Sequence, residues 1–211
     1  MNSKTEKILS LDVSSKTGFS VLITGTNGVC VLEDYGQVPK IHCPDSESYP
    51  GSYVTWAYKC FEKIEELIER YQPDVLVIEE ITKSKNAMSQ KFLDFVHFLV
   101  CRFIQETGIK NFWFQTGEWR REVGSHMNDA EKKRNKEVRK YKKEHKSKLA
   151  YDIITGKRIG MIGKKHVTIR LINEIFKDQL KEPLKRKDDD TADAIALSYC
   201  YHLRKQRGLY A

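Results

Sequence analysis

Four acidic residues stand where burial should discourage a charge. Asp12 ends the first apolar stretch, and Glu79 ends the continuous apolar run Val75–Ile78. Asp190 and Asp193 fall in the first turn of a C-terminal helix that begins in a run of acids, Asp188–Asp190. A carboxylate beside an apolar core is costly unless it is paired or binds a cation. Each acid alone has an ordinary explanation: solvation at a strand end, an N-cap at Asp190, or a dipole-favoured first-turn acid at Asp193. Together they suggest more. Two strand ends and a helix start on one sheet edge would gather four carboxylates that repel one another unless hard cations hold them. Mg²⁺ prefers such carboxylate and water oxygens.

The elements that must position these acids follow from apolar spacing. Ile8–Val13, Gly18–Ile23 and Val29–Leu32 read as three short antiparallel strands, the last two joined by the turn Gly25-Thr26-Asn27-Gly28. Between Tyr53 and Tyr71 apolar residues recur at helical spacing, and Pro73 ends that helix. The uninterrupted run Val75–Ile78 is what a central strand covered on both faces requires. Met88–Thr107 reads as a second helix, stopped by Gly108, and Asn111–Gln115 as a further strand. A helical stripe follows at Val167, Leu171, Ile175 and Phe176, then a last helix over about Asp190–Arg204. This order predicts an α/β domain built on a mixed β-sheet flanked by helices. A single domain over 1–211 is expected, interrupted at about 120–162 by a basic insertion before the C-terminal helices.

That insertion dominates the charge balance. Residues 130–170 hold 15 Lys and Arg against 4 acids, a net of +11, so the rest of the +8 chain carries −3. From Glu131 to Lys148 only Val138 and Tyr141 are plainly apolar, which predicts a solvated helix or a mobile segment. Segregated positive charge points to a polyanion, since each neutralised phosphate releases condensed counterions. Lys132, Lys133, Arg134 and Lys136 are the expected backbone contacts, with Lys83 and Lys85 closer to Glu79. The five cysteines form no C-x-x-C pair and read as free thiols rather than a zinc site or disulfide framework. With no membrane-length apolar run and no signal-like leader, an intracellular protein (cytoplasm or nucleoid, or a host cell if viral) is expected.

Three motifs carry a family resemblance. Leu9–Phe19, with Asp12 before a turn and Thr17-Gly18-Phe19, resembles the first-strand motif of RuvC-type Holliday-junction resolvases. Val77-Ile78-Glu79-Glu80-Ile81 followed by Lys85-Asn86-Ala87 is similar to that family's strand-borne Glu and its Lys-Asn-Ala loop. Asp190-Thr191-Ala192-Asp193-Ala194 resembles the closing Asp-x-x-Asp-Ala helix. The order and approximate spacing agree over most of the chain outside 120–162. Two features depart: Val13-Ser14 follows the first Asp where the family usually has a glycine, and Thr82 stands where an aromatic often follows the Glu motif. The basic insertion is longer than in bacterial members and resembles phage or viral resolvases.

The resemblance implies an RNase H-like fold and a two-metal endonuclease resolving four-way DNA junctions with Mg²⁺, or Mn²⁺ in its place. Asp12, Glu79, Asp190 and Asp193 would then be the catalytic metal ligands, with Glu79 rather than Glu80 in place and Asp189 the alternative to Asp190. Lys165 would contact the substrate near the scissile phosphate. A homodimer on branched DNA is expected, with the aromatic-rich Met88–Thr107 helix as its seam. The same acids would serve a nuclease of this fold acting on flaps or RNA–DNA hybrids. An actin-like ATPase also begins with a strand and an Asp, but its phosphate loop needs a glycine soon after the Asp, and here the first is Gly18.

Overall fold

Successive side chains of a strand point to opposite faces, and β1 (Glu6–Asp12) and β4 (Val75–Glu80) use that parity to separate core from chemistry. The computed structural model describes residues 5–25, 28–45, 47–80, 86–151 and 157–210. With β2 (Gly18–Thr24), β3 (Cys30–Gln37) and β5 (Lys110–Gln115), these strands form a mixed five-stranded sheet in the order β3-β2-β1-β4-β5. The first three are antiparallel neighbours, and β4 and β5 run parallel to β1.

Helices α1 (Gly51–Tyr71) and α2 (Ala87–Thr107) cover one face, packing on Leu9, Leu11, Leu76 and Ile78. On the other face α3 (Thr116–Glu122), α5 (Lys164–Ile175) and α6 (Asp189–Gln206) pack against Ile8, Val75, Val77 and Phe114. The continuous apolar run of β4 is therefore divided residue by residue between two cores, as its doubly covered position requires. Asp12 has the parity of Ile8 and Ser10, and Glu79 that of Val75 and Val77, so both point toward α3 and α6. Because Leu11 lies opposite Ile78 in the parallel register, Asp12 and Glu79 follow at the same height on adjacent strands.

Helix α6 lies close against β1 and β2. Its small residues Ala192, Ala194 and Ala196 are fully or almost fully buried, and hydroxyls fill the seam. Ser10 Oγ donates to the Ala194 carbonyl at 2.6 Å, Ser20 bonds Ser10 at 2.7 Å and Ser198 at 2.8 Å, and Thr24 bonds His202 Nδ1 at 2.7 Å. Gly18, paired with Asp12 in the sheet, is the tightest point. A Cβ there would stand 2.1 Å from the Asp190 carbonyl oxygen. The glycine of Thr17-Gly18-Phe19 therefore admits the start of α6.

The basic insertion contains an ordered helix, α4 (Asp129–Glu144), and a two-stranded hairpin, β6 (Ala150–Tyr151) with β7 (Arg158–Ile159). Asn128 and Glu131 close a capping box at the start of α4. One side of α4 is anchored by polar contacts: Glu131 pairs with Arg170 at 3.0 Å, and the Asn135 amide brackets the Ile162 backbone at 2.8 and 2.7 Å. Trp119 and Val123 pack in the core beneath α6, so Arg120–Val123, expected within the insertion, belong structurally to the main body. Among the described residues no helix is long and apolar enough to cross a membrane.

Gly18→Ala is expected to destabilise the protein by about 1–3 kcal/mol through overpacking against backbone. Gly117→Ala, in α3 with no atom within 4 Å of an added Cβ, should be neutral or stabilising by up to about 1 kcal/mol. Thermal or urea denaturation checks the pair; a wild-type melting point for Gly18→Ala would contradict the close approach.

Candidate functional site

The sheet edge gathers the four predicted acids from three elements. Asp12 and Glu79, each 8% exposed, come from β1 and β4; Asp193, 3% exposed, and half-buried Asp190 come from the first turns of α6. Burial, followed by the charges of Glu79, Asp193 and Asp190, pushes the Asp12 carboxyl well above the usual carboxylate range. Burial likewise raises Asp193, to about 6; Glu79 and Asp190 add to the rise and Arg120 and Lys165 oppose it. The four groups thus share one electrostatic site.

Strand parity separates Glu79 from Glu80, since the latter takes the opposite face. Lys165 lies 2.7 Å from Asp189 and 3.0 Å from Asp190. Burial works against the lysine's charge, but these two carboxylates outweigh it and hold the ammonium above the ordinary lysine range. Asp190 acts on both Asp12 and Asp193, which favours it over Asp189 as the member facing the cluster.

Three residues that the sequence reading did not single out hold the acids in place, all on α3. Thr116 Oγ1 and Trp119 Nε1 both donate to Glu79 Oε1, at 2.7 and 3.0 Å, leaving its second oxygen free of these donors. Arg120 Nη2 donates to Asp193 Oδ2 at 3.1 Å, and its guanidinium lies over the Trp119 ring. The sequence offered only a local helix signal here, Gln115 and Glu118 at capping spacing before Trp119 and Arg120, and none that these residues meet the acids.

Among the described residues, no three or more acids, histidines or cysteines stand in a ready-made metal shell. The side chains lean instead on Arg120, Lys165, Thr116 and Trp119. The donor chemistry nevertheless fits a hard divalent cation. It is all carboxylate, three members are more than nine-tenths buried, and Asp193 Oδ1 is buried with no hydrogen-bond partner among the described residues. To hold an ion, Asp193 and Asp190 would have to give up their contacts with Arg120 and Lys165.

The predicted substrate-contacting residues are dispersed. Lys132, Lys133, Arg134 and Lys136 are exposed on α4. Lys132 pairs with Asp129 at 3.1 Å, an exposed contact of little energetic weight, and no ion pair among the described residues engages the other three. Lys165 sits at the acid cluster, and Lys83 and Lys85 lie outside the described residues.

The sheet order, the flanking helices and the acid-bearing edge define an RNase H-like fold. The chain resembles Thermus thermophilus RuvC in complex with a Holliday-junction substrate, at TM-score 0.59 and 11% identity over 96% of both chains. It resembles T. thermophilus RuvC in a separate structure at TM-score 0.58 and 13% identity, again over 96% of both. The yeast mitochondrial Holliday-junction resolvase Ydc2 aligns at TM-score 0.53 and 12% identity, over 97% of this chain and 83% of that one. The fold is thus that of the RuvC-type resolvases. No protein-family model matches the sequence, and no curated protein matches it.

A raised folded pKa means that the native state binds more protons than the unfolded chain once pH exceeds the unfolded value, about 3.9 for Asp. Asp12 therefore contributes stability that is full below that value and is lost as pH rises through its elevated folded pKa. Without divalent metal, Asp12→Asn is expected to melt higher than wild type at pH 7–8, with the advantage shrinking toward pH 4. Calorimetry across that range checks the sign; a lower melting point at pH 8 would contradict it.

Proposed function

We propose that the protein is a divalent-metal-dependent endonuclease that resolves four-way DNA junctions. The observation that carries this reading is the convergence of Asp12, Glu79, Asp190 and Asp193 on one sheet edge, with Asp12 and Asp193 buried and their carboxyls held at raised pKa. Mg²⁺, or Mn²⁺ in its place, bound by such a set supplies an activated water and neutralises charge on the leaving oxygen of a phosphodiester. Asp12, central among the four, is the ligand best placed to serve both halves of the site. Glu79, oriented through one oxygen by Thr116 and Trp119, presents the other. Asp190 and Asp193 approach from α6, and Lys165 places positive charge at the rim, where a substrate phosphate would lie.

The exposed cationic side of α4 supports a DNA-backbone contact that positions the substrate without reading sequence. Its carrier is tied to α5 through Glu131–Arg170, so DNA on α4 is held in a fixed relation to the acids. A second copy of the chain is the expected partner. Each chain supplies one acid set, whereas paired incisions in a two-fold junction need two. Between α1 and α2 an apolar groove opens at Val54, Tyr58, Phe95, Phe98 and Leu99, with Phe98 65% exposed. This groove supports the aromatic helix as the dimer seam.

Asp12→Asn, Glu79→Gln and Asp193→Asn are each expected to lower Mg²⁺-dependent junction cleavage by at least about a hundredfold, with DNA binding retained. Comparing a four-way junction, a flap, an RNA–DNA hybrid and linear duplex decides the substrate. Preference for a flap or hybrid would remove the resolvase reading, and near wild-type cleavage by any two variants would remove the site. Binding should also weaken with salt at a log–log slope of about −0.9 per phosphate contacted. Neutralising Lys132, Lys133, Arg134 and Lys136 together should make that slope shallower. Light scattering on the DNA complex reads the dimer; a monomer making a single nick would contradict paired resolution.

A further inference from the structure

Arg120 stands between two chemically opposite compartments. On one side is the acid cluster, where its Nη2 meets Asp193 Oδ2. On the other is a cleft of about 400 Å³ between α3 and α5, at the root of α4. Arg120 lines this cleft together with Arg121, Ser125, His126 and Lys164, and among the described residues no acid lines it. Arg121 and Lys164 are exposed, and neither joins an ion pair among the described residues. A cleft with this lining has the chemistry of an oxyanion site.

The Arg120–Asp193 pair is poorly completed for one so enclosed. Its partners are 14% and 4% exposed at the side chain, yet they share a single 3.1 Å hydrogen bond. Arg120 Nε and Asp193 Oδ1 are both buried without a partner among the described residues. A guanidinium is matched best by two parallel bonds to one carboxylate or phosphate, and a buried pair with unanswered atoms is weakly held. Each member has a better partner within reach: a phosphate in the cleft for Arg120, and a hard cation in the acid cluster for Asp193.

We propose that Arg120 is a positioning residue that gates the metal site, holding Asp193 until a DNA phosphate enters the Arg121–His126–Lys164 cleft and draws the guanidinium away. This rests on the reading of the four acids as metal ligands. Phosphate and metal then bind cooperatively, because each relieves the pair that obstructs the other, and the coupling is reciprocal. Lys165, which spans Asp189 and Asp190 at the rim, opposes the metal in the same way but is open to solvent and is released at lower cost.

The test is Mn²⁺ binding, followed by calorimetry or electron paramagnetic resonance, with and without linear duplex DNA. Wild type is expected to bind Mn²⁺ about tenfold more tightly with duplex present, within the usual range of site-to-site coupling. Arg120→Gln should reach that tighter affinity without DNA and gain little more from it. The double variant Arg121→Gln, Lys164→Gln should keep the DNA-free affinity of wild type and lose most of the enhancement. Its substitutions are on the surface, so it decides the matter even where Arg120→Gln fails to fold. An Arg120→Gln variant that folds and binds Mn²⁺ no more tightly than wild type overturns the gate. So does equal wild-type affinity with and without duplex, although the metal site then stands. No Mn²⁺ binding by wild type in either condition overturns the metal-site reading itself.

Discussion

Carboxylates packed together at a buried sheet edge repel one another and lose their hydration, and the surrounding structure is organised to tolerate both costs. Burial is the first cause of the raised pKa at Asp12 and at Asp193, ahead of any neighbouring charge. An isolated ionised carboxylate in such a place would be untenable without protonation or a cation. The protein answers each acid differently. Glu79 receives two neutral donors on one oxygen, Asp193 a guanidinium and Asp190 an ammonium, while Asp12 receives none of these among the described residues and its carboxyl is held well above the usual range. An acid whose neighbours in the site are other carboxylates is best relieved by a cation from solution.

The strain of gathering these charges is borne by the fit of α6 to the sheet. The helix reaches Asp12 because Gly18 has no side chain and because alanines and serines line the seam. Small residues bring polar backbone close, so the hydroxyls that replace bulk must themselves be bonded. Ser10, Ser20 and Ser198 are bonded to one another and to the Ala194 carbonyl. A larger apolar seam would have been more hydrophobic, but it would have held the α6 acids farther from β1. Packing here is subordinate to the placement of Asp190 and Asp193.

Much of this was legible in the sequence, because alternation and apolar runs are local signals. The run Val75–Ile78 announced a central strand, and the family resemblance placed Glu79 rather than Glu80 as the ligand, the residue whose strand parity turns it toward α3 and α6. The two strands and the helix that carry the acids, β1, β4 and α6, were recognisable within a few residues, whereas α3 was not. What escaped was long-range and polar. Nothing near Thr116, Trp119 or Arg120 in the chain tells that they meet Glu79 and Asp193, some 37 to 73 positions away. The serine seam was hidden for the same reason: Ser10 and Ser20 look like breaks in apolar strands until α6 lies over them.

The basic segment shows most clearly where apolar periodicity misleads. With Val138 and Tyr141 as its plain apolar residues, α4 seemed to have no face to bury, yet Glu131, Asn135 and Val138 form a buried stripe at helical spacing. Two of the three are polar, and their partners, Arg170 and the Ile162 backbone, belong to or immediately precede α5. A helix whose contact face is itself polar can carry lysine and arginine around nearly all the remaining circumference without losing its seat. That arrangement matters for chemistry at a distance. Charge on a floating arm would raise local DNA concentration but leave the scissile bond anywhere. Under the proposed function, charge on a helix fastened to the element that also bears Lys165 would fix a bound backbone relative to Asp190, so that electrostatic capture and alignment would come from the same contact.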